Sequence, residues 1–170
     1  MENYSGATPY LSFWLDDQLY AFSINNVVEV TETPKITVIP QSVEYIKGVF
    51  NFRGEILPAI DVMDKCHLVR THEPQSDDSA VIVLEVNKED PDLHLIAGAI
   101  VERVSDVINI KPIDIIPVQD FDSHIDPKFT QGIYNYDDKI VTILDTKKYL
   151  RLKTRPKRKI NSHFILLEQQ

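Results

Sequence analysis

The sequence has few of the residues and runs that mark several common classes of protein. A single cysteine among 170 residues excludes an internal disulfide and is typical of a reducing compartment. No apolar run approaches the ~20 residues that a membrane-spanning helix needs. The N-terminus also lacks the basic and apolar regions of a secretory signal. We therefore expect a cytoplasmic protein.

The charge of the chain is unevenly distributed. The formal net charge is −8, yet residues 151–159 carry six basic side chains and no acid, so the remainder is strongly acidic. Contacts with nucleic-acid phosphates need a basic face, so we do not expect the folded part to bind nucleic acid. A composition of 43% hydrophobic and 26% charged residues is ordinary for a globular protein with a real core.

The motifs of common catalytic and metal sites are also missing. No phosphate-binding glycine loop, no Gly-x-Ser-x-Gly and no CxxC, HxxxH or HExxH spacing occurs. Acidic clusters at residues 77–78, 90–92 and 120–122 lack the spacing of a calcium-binding loop. We expect no metal, no cofactor and no enzymatic activity. A small hydrolase that uses an aspartate pair stays as an alternative.

The most informative stretch that is present is residues 47–61, KGVFNFRGEILPAID. Strand-forming residues on both sides of Arg53 and Gly54 predict a hairpin with a tight turn at that dipeptide. Gly48 allows another backbone to approach closely. Just upstream, residues 41–48 predict a short helix with Ser42 as its N-cap and Gly48 as its terminator.

The two halves of the chain resemble each other. Residues 48–61 (GVFNFRGEILPAID) align without a gap with residues 132–145 (GIYNYDDKIVTILD), and a similar order of strands precedes both. Asp61 and Asp145 end the aligned segments and are predicted to cap short helices. Two units of about 70 residues with many short strands predict an all-β fold of two small barrels.

The informative difference between the halves lies at the turns. Arg53 and Gly54 in the first half correspond to Asp137 and Asp138 in the second. If the hairpins are equivalent, folding alone does not require the arginine. The comparison therefore favours a binding role for Arg53.

The expected organisation has three parts. Residues 1–9 are expected to be a flexible N-terminus, residues 10–150 to hold both barrels, and residues 151–170 to be a basic and then apolar extension. The barrels divide at about 10–75 and 76–150, with strand exchange between them left open. For the extension, a solvated flexible segment is the first choice. The alternatives are folding back on the acidic body, adding a strand, touching anionic lipid, or binding nucleic acid through the tail alone.

These motifs resemble those of the CheW-like domain. GVFNFRGEILPAID is similar to the family's GVxNLRGxIxPVxDL pattern, and YLSFWLDDQLYAFSINNVVEV and FTQGIYNYDDKIVTILD occur in the family's order. The resemblance covers roughly residues 9–152, with Phe52 where leucine is usual. It implies two SH3-like five-stranded barrels packed side by side, with a few short helices and no catalysis. It also implies an adaptor that couples chemoreceptors to a histidine kinase and helps to build the receptor array.

The resemblance also implies roles for individual residues. It puts Arg53 in the loop associated with receptor contact and Glu29 at the acidic position near that arginine. Gly48, beside Val49, falls where bulk disturbs the kinase-facing surface. Four residues in the equivalent strands are our hypotheses for an apolar groove for the receptor: Val27, Val30, Ile100 and Val104.

The implied partners are the regulatory domain of a CheA-type histidine kinase and the cytoplasmic tip of a methyl-accepting chemoreceptor. Membrane contact is then expected only indirectly, through the receptors, and the isolated protein is expected to be monomeric. A β-barrel scaffold of another two-component or motility pathway stays as an alternative.

Overall fold

The computed structural model describes residues 6–73, 77–118 and 127–151. In these ranges the chain is mostly β, with two short helices and three single 3₁₀ turns. The strands are β1 (Thr8–Leu15), β2 (Gln18–Ser23), β3 (Val27–Glu32), β4 (Ile46–Phe52), β5 (Glu55–Asp61), β6 (Ala80–Val86), β7 (Leu95–Val101), β8 (Arg103–Ile110), β9 (Thr130–Tyr136) and β10 (Lys139–Leu144). The helices are α1 (Val62–Lys65) and α2 (Thr146–Leu150), and the 3₁₀ turns are Ile24–Asn26, Pro112–Asp114 and Pro127–Phe129. No helix in the described ranges has the length and apolar character needed to cross a bilayer.

The strands form two five-stranded sheets with the same plan. Sheet A has the order β8-β1-β2-β10-β9, and sheet B has the order β3-β6-β7-β5-β4. In each sheet an edge strand pairs with a hairpin, and the hairpin pairs in parallel with one strand of a second hairpin. The prediction of a mostly β fold with two five-stranded units and a few short helices is confirmed.

The sheets do not follow the two halves of the chain. The first half supplies β1 to β5 and the second supplies β6 to β10, yet the β1–β2 hairpin pairs with β8 and β10. Reciprocally, the β6–β7 hairpin pairs with β3 and β5. Each sheet therefore combines a hairpin from one half with three strands from the other. Sheet membership alone does not define a domain, so the division near residue 75 stays a prediction.

The exchanged hairpins are buried on both faces. In β6, Ile82 and Leu84 belong to a central apolar cluster between the sheets, while Val81 and Val83 belong to a cluster within sheet B. A third cluster lies within sheet A. Burial of both faces explains why β6 reads AVIVLEV, a nearly continuous apolar run, instead of alternating. Each buried side chain of this size contributes about 1.5–3 kcal/mol.

Short helices follow β5 and β10, as the repeat predicts. The Asp61 carboxylate accepts a hydrogen bond from the Asp64 N–H at 3.1 Å, and Asp145 accepts one from the Lys148 N–H at 3.0 Å. Each satisfies one of the main-chain donors that a helix leaves unpaired at its start. The prediction that both aspartates are N-caps is confirmed.

Two local expectations were wrong. Residues 41–48 do not form a helix, and the Ser42 hydroxyl, instead of capping one, lies 3.2 Å from the carbonyl oxygens of Ile39 and Ile46 as a donor. The segment makes turns and passes into β4 at Ile46. At the N-terminus the expectation of flexibility is wrong for Thr8 and Pro9, which belong to β1 and pair with Ile110 and Asn109 of β8. The expectations for residues 1–5 and for the extension after residue 151 lie outside the described residues.

Candidate functional site

Arg53 lies at the tip of the β4–β5 hairpin. Arg53 and Gly54 form its two-residue turn with φ values of +50° and +84°, the left-handed values that tight hairpin turns require. The Asn51 side-chain carbonyl accepts a hydrogen bond from the Gly54 N–H at 3.2 Å and holds the turn. The Arg53 side chain is therefore displayed on a well-defined turn, with 68% of its surface exposed.

The Arg53 guanidinium forms an ion pair with the Glu29 carboxylate. Glu29 is on β3 and Arg53 follows β4, and these are the two edge strands of sheet B. The pair thus shows that sheet B is rolled until its edges approach each other at this corner. An exposed pair contributes only ~0.2–1 kcal/mol to stability, so its main effect is to orient the arginine.

The four apolar groove residues do not pack against one cluster. Val27 and Val104 are half-buried against the central cluster, whereas Ile100 is half-buried against the cluster of sheet B. Val30, on the same strand as Glu29, is 41% exposed. The structure brings Glu29 into contact with Arg53, whereas Val30, the next residue on β3, lies opposite Ile82 in β6. Ile100 lies at the seam between the sheets.

Ile100 lines a small cleft at that seam. The cleft has a volume of about 100 Å³ and is also lined by Leu15 of sheet A and Met63 of α1. Arg70 and Glu102 form an ion pair on its wall. Neither charged residue stood out in the sequence, since they are 32 positions apart and belong to no motif.

Gly48 is buried and is not part of the exposed surface. Its φ is +149°, and a Cβ placed on it would lie 2.2 Å from the Thr37 carbonyl oxygen. Two main-chain hydrogen bonds join Thr37 to Val49, with lengths of 2.8 and 2.9 Å. Gly132 has the same surroundings, since its Cβ would lie 2.5 Å from the Ile116 carbonyl oxygen. The repeated glycine is explained by this close approach of two main chains.

The segment after α1 is fastened to the β1–β2 turn. The Asp16 carboxylate accepts hydrogen bonds from the Thr71 hydroxyl at 2.7 Å, the Thr71 N–H at 2.9 Å and the His72 N–H at 3.0 Å. These bonds lower the pKa of Asp16 to about 2, and the bond from the Thr71 hydroxyl has the largest effect. The Glu102 carboxylate in turn accepts the Asp16 N–H at 3.0 Å. The chain leading out of the first half is thus tied to a turn of sheet A.

Lys65 on α1 is a buried amine between aromatic rings. It is 6% exposed, with its Nζ 4.1 Å from the ring centroid of Tyr45 and 5.6 Å from that of Phe129. Burial lowers the pKa of Lys65 from 10.5 to about 8. The two rings come from equivalent places, since the carbonyl oxygens of Tyr45 and Phe129 accept the N–H groups of Asp61 and Asp145. Lys65 therefore joins the two halves through packing and charge.

The described ranges offer no centre for metal chemistry. Within residues 6–73, 77–118 and 127–151, no three His, Cys, Asp or Glu side chains are arranged to hold a metal ion. Cys66 is buried, and His67 and His72 are exposed. What the site offers chemically is an oriented cation beside exposed apolar residues, which suits recognition of another protein.

Comparison with known proteins gives a consistent result. A family model for the CheW-like domain matches residues 9–154. A Helicobacter pylori protein, "Chemotaxis protein CheW", is 32% identical over 142 residues, which are 84% of this chain and 81% of that protein. A Thermotoga maritima protein of the same name is 28% identical over 142 residues, which are 82% of this chain and 85% of that protein. The crystal structure of scaffolding protein TtCheW from Thermoanaerobacter tengcongensis is similar, with a TM-score of 0.74, 30% identity and coverage of 90% and 92% of the two chains.

Proposed function

The chain belongs to the CheW-like family of non-enzymatic chemotaxis scaffolds, and from that premise we propose that it couples chemoreceptor tips to a CheA-type histidine kinase. Membership removes the aspartate-dependent hydrolase from consideration. The names of the relatives favour chemotaxis over another two-component or motility pathway.

The observation that carries the receptor part of the proposal is the Arg53–Glu29 pair. Arg53 is exposed, yet its guanidinium is held by a carboxylate and its backbone by a tight turn. An oriented side chain loses less conformational entropy on binding than a free one. A receptor tip is a helical hairpin, which presents carboxylates and main-chain carbonyls that a guanidinium can bind.

Four apolar residues supply the rest of the proposed receptor surface. Val30 is exposed on β3, and Val27 on the same strand is half-buried. Val104 is half-buried at the central cluster, and Ile100 lines the cleft at the seam. We place the receptor helices along this line from the Arg53 turn to the seam, because amphipathic helices bind in apolar grooves.

The proposed kinase contact lies along β4. Val49 is half-buried on this strand, and Gly48 keeps the strand close to Thr37. Because Gly48 is buried, its proposed effect on kinase binding is indirect, through the position of the β4 main chain. The partner on this side is the regulatory domain of the kinase.

The proposed place of action is the cytoplasm, where receptor tips and kinase meet. The protein reaches membrane-associated arrays only through the receptors, and in isolation it is monomeric. Neither a cofactor nor nucleic acid has a part in this proposal.

The receptor role is tested by titrating the full chain with a soluble chemoreceptor fragment that contains the hairpin tip. Arg53→Asp should weaken binding about tenfold, the equivalent of one charge-assisted hydrogen bond, and leave the melting temperature nearly unchanged. Asp137→Ala is a matched control, since Asp137 occupies the same turn position of the other hairpin with φ +49°. A large loss of stability in Arg53→Asp, or equal losses of affinity in both variants, would refute the receptor role.

The kinase role is tested separately with the isolated regulatory domain of the kinase. Gly48→Asp should lower affinity for that domain, because any Cβ forces β4 away from Thr37. Arg53→Asp should leave it unchanged. Normal kinase affinity in Gly48→Asp, measured well below its melting temperature, would count against the proposed β4 surface.

A further inference from the structure

The ring of Phe52 lies beneath the guanidinium of Arg53. The guanidinium carbon is 4.9 Å from the ring centroid, inside the ~6 Å range of a cation–π contact. Phe52 is only 9% exposed and belongs to the cluster of sheet B together with Phe50 and Leu57. The ring is therefore fixed by its own packing and offers the arginine a rigid face.

Arg53 is thus held from two directions. Glu29 pairs with one nitrogen of the guanidinium, and the guanidinium carbon lies over the ring of Phe52. Most of the side chain still faces solvent, so an edge that does not face Glu29 is open to a partner. An ion pair alone leaves a guanidinium free to swing about the carboxylate, whereas a ring face also restricts its tilt.

Leucine is the apolar residue that tests what the ring of Phe52 adds. A leucine fills an apolar slot but has no π face for a cation. In the second hairpin the equivalent residue is Tyr136, followed by Asp137 instead of an arginine. An aromatic ring is therefore tolerated there for packing alone, and a test has to separate packing from an effect on Arg53.

We propose that Phe52 is a positioning residue for Arg53, whose ring sets the orientation in which the guanidinium meets the receptor. The inference rests on the proposed receptor role of Arg53. It adds that this chain presents a more restrained cation than the same chain with leucine at position 52 would.

The first test needs no partner and uses NMR of the full chain. Side-chain protons of Arg53 should show an aromatic ring-current shift in the unsubstituted protein. Phe52→Tyr should keep that shift, because the ring remains, and Phe52→Leu should abolish it. Identical Arg53 shifts in Phe52→Leu and the unsubstituted protein would overturn the proposal.

The second test is a double-mutant cycle with the soluble receptor fragment. Phe52→Leu should weaken binding about two- to fivefold, the range of an exposed cation–π contact, and Phe52→Tyr should restore it. In an Arg53→Ala background, Phe52→Leu should have no further effect. An equal loss in both backgrounds would mean that Phe52 acts through packing, and the proposal would be wrong.

The two tests also separate this inference from the receptor role. If Arg53→Ala leaves receptor affinity unchanged, the receptor role fails and, with it, the functional part of this inference. The NMR result then still decides whether Phe52 orients Arg53. If Arg53→Ala weakens binding and Phe52→Leu does not, the receptor role stands and the positioning role fails.

Discussion

Replacing Gly48 by alanine should destabilise the protein far more than its small size suggests. The new Cβ would lie 2.2 Å from the Thr37 carbonyl oxygen and 2.9 Å from the Ile36 side chain. The carbonyl belongs to main chain and cannot rotate away, so β4 or the Thr37 segment has to move by about 1 Å to regain van der Waals distance.

The size of the loss follows from what that movement breaks. The two hydrogen bonds between Thr37 and Val49 contribute about 0.5–1.5 kcal/mol each. The φ of +149° adds about 1 kcal/mol of backbone strain for a residue with a Cβ, the low end of the range for such regions. The expected loss in free energy of unfolding is therefore about 2–4 kcal/mol, which lowers the melting temperature by roughly 5–15 °C in a chain of this length.

The assay is thermal and urea unfolding of the full chain, with Gly54→Ala as a matched control. Gly54 also has a positive φ, of +84°, but nothing lies within 4 Å of its Cβ position. Gly54→Ala should therefore cost about 1 kcal/mol from strain alone. If Gly48→Ala unfolds at the same temperature and urea concentration as Gly54→Ala, the close approach of β4 to Thr37 is refuted.

The second half of the chain provides an independent check. A Cβ on Gly132 would lie 2.5 Å from the carbonyl oxygen of Ile116, which is bonded to Ile133 as Thr37 is to Val49. Gly132→Ala should therefore also destabilise clearly, although with no contribution from a positive φ. A neutral effect there would mean that the two glycines are equivalent only in sequence.

Two further predictions concern stability against pH, each measured by urea unfolding over a pH series. Lys65→Met removes a buried amine whose pKa is lowered to about 8. Between pH 8 and 10.5 the unfolded chain binds more protons at Lys65, so the parent protein gains stability as pH rises through that window. Lys65→Met should be about 1–2 kcal/mol more stable than the parent at pH 7, a figure reduced for residual solvent access. Its stability should not rise between pH 8 and 10.5. If Lys65→Met is less stable than the parent, the contact of the amine with Tyr45 outweighs the cost of burying its charge. Asp16, whose pKa is lowered to about 2, contributes stability above its ordinary pKa of 3.8 that is lost as pH falls towards 2. Asp16→Asn should be less stable than the parent at neutral pH and should lose less stability between pH 4 and 2. If both proteins lose the same stability between pH 4 and 2, the hydrogen bonds from Thr71 to Asp16 do not contribute as proposed.

Local chemistry made part of the fold predictable. Asp61 is the last residue of β5, Asp145 directly follows β10, and each immediately precedes a short helix, so the cap can be predicted from neighbours in sequence. The turn at Arg53 and Gly54 was predictable for the same reason. The helix expected around Ser42 does not form, and the Ser42 hydroxyl bonds to nearby carbonyl oxygens. The local sequence does not distinguish a serine that makes such bonds from one that caps a helix.

Long-range features were not available from the sequence. The β1–β2 hairpin has apolar residues on both faces, and because the two halves are similar it could pair with strands of either half. The alignment of the halves does not predict which strands it pairs with. The Glu29–Arg53 pair could be expected only through the family resemblance. The ring of Phe52 under Arg53 and the enclosure of Lys65 by Tyr45 and Phe129 depend on side-chain directions at the ends of separate elements.

The reciprocal exchange of hairpins constrains how this chain can emerge from the ribosome. The β2 strand ends at Ser23, but its parallel neighbour β10 begins only at Lys139. At roughly 5–20 residues per second, the intervening roughly 115 residues take about 6–23 s to translate. During that interval the first hairpin lacks β10, and its other strand neighbour, β8, begins only at Arg103. Sheet B can therefore form once β7 ends at Val101, whereas sheet A waits for β9 and β10, so the sheet that holds the first hairpin is the last to be completed.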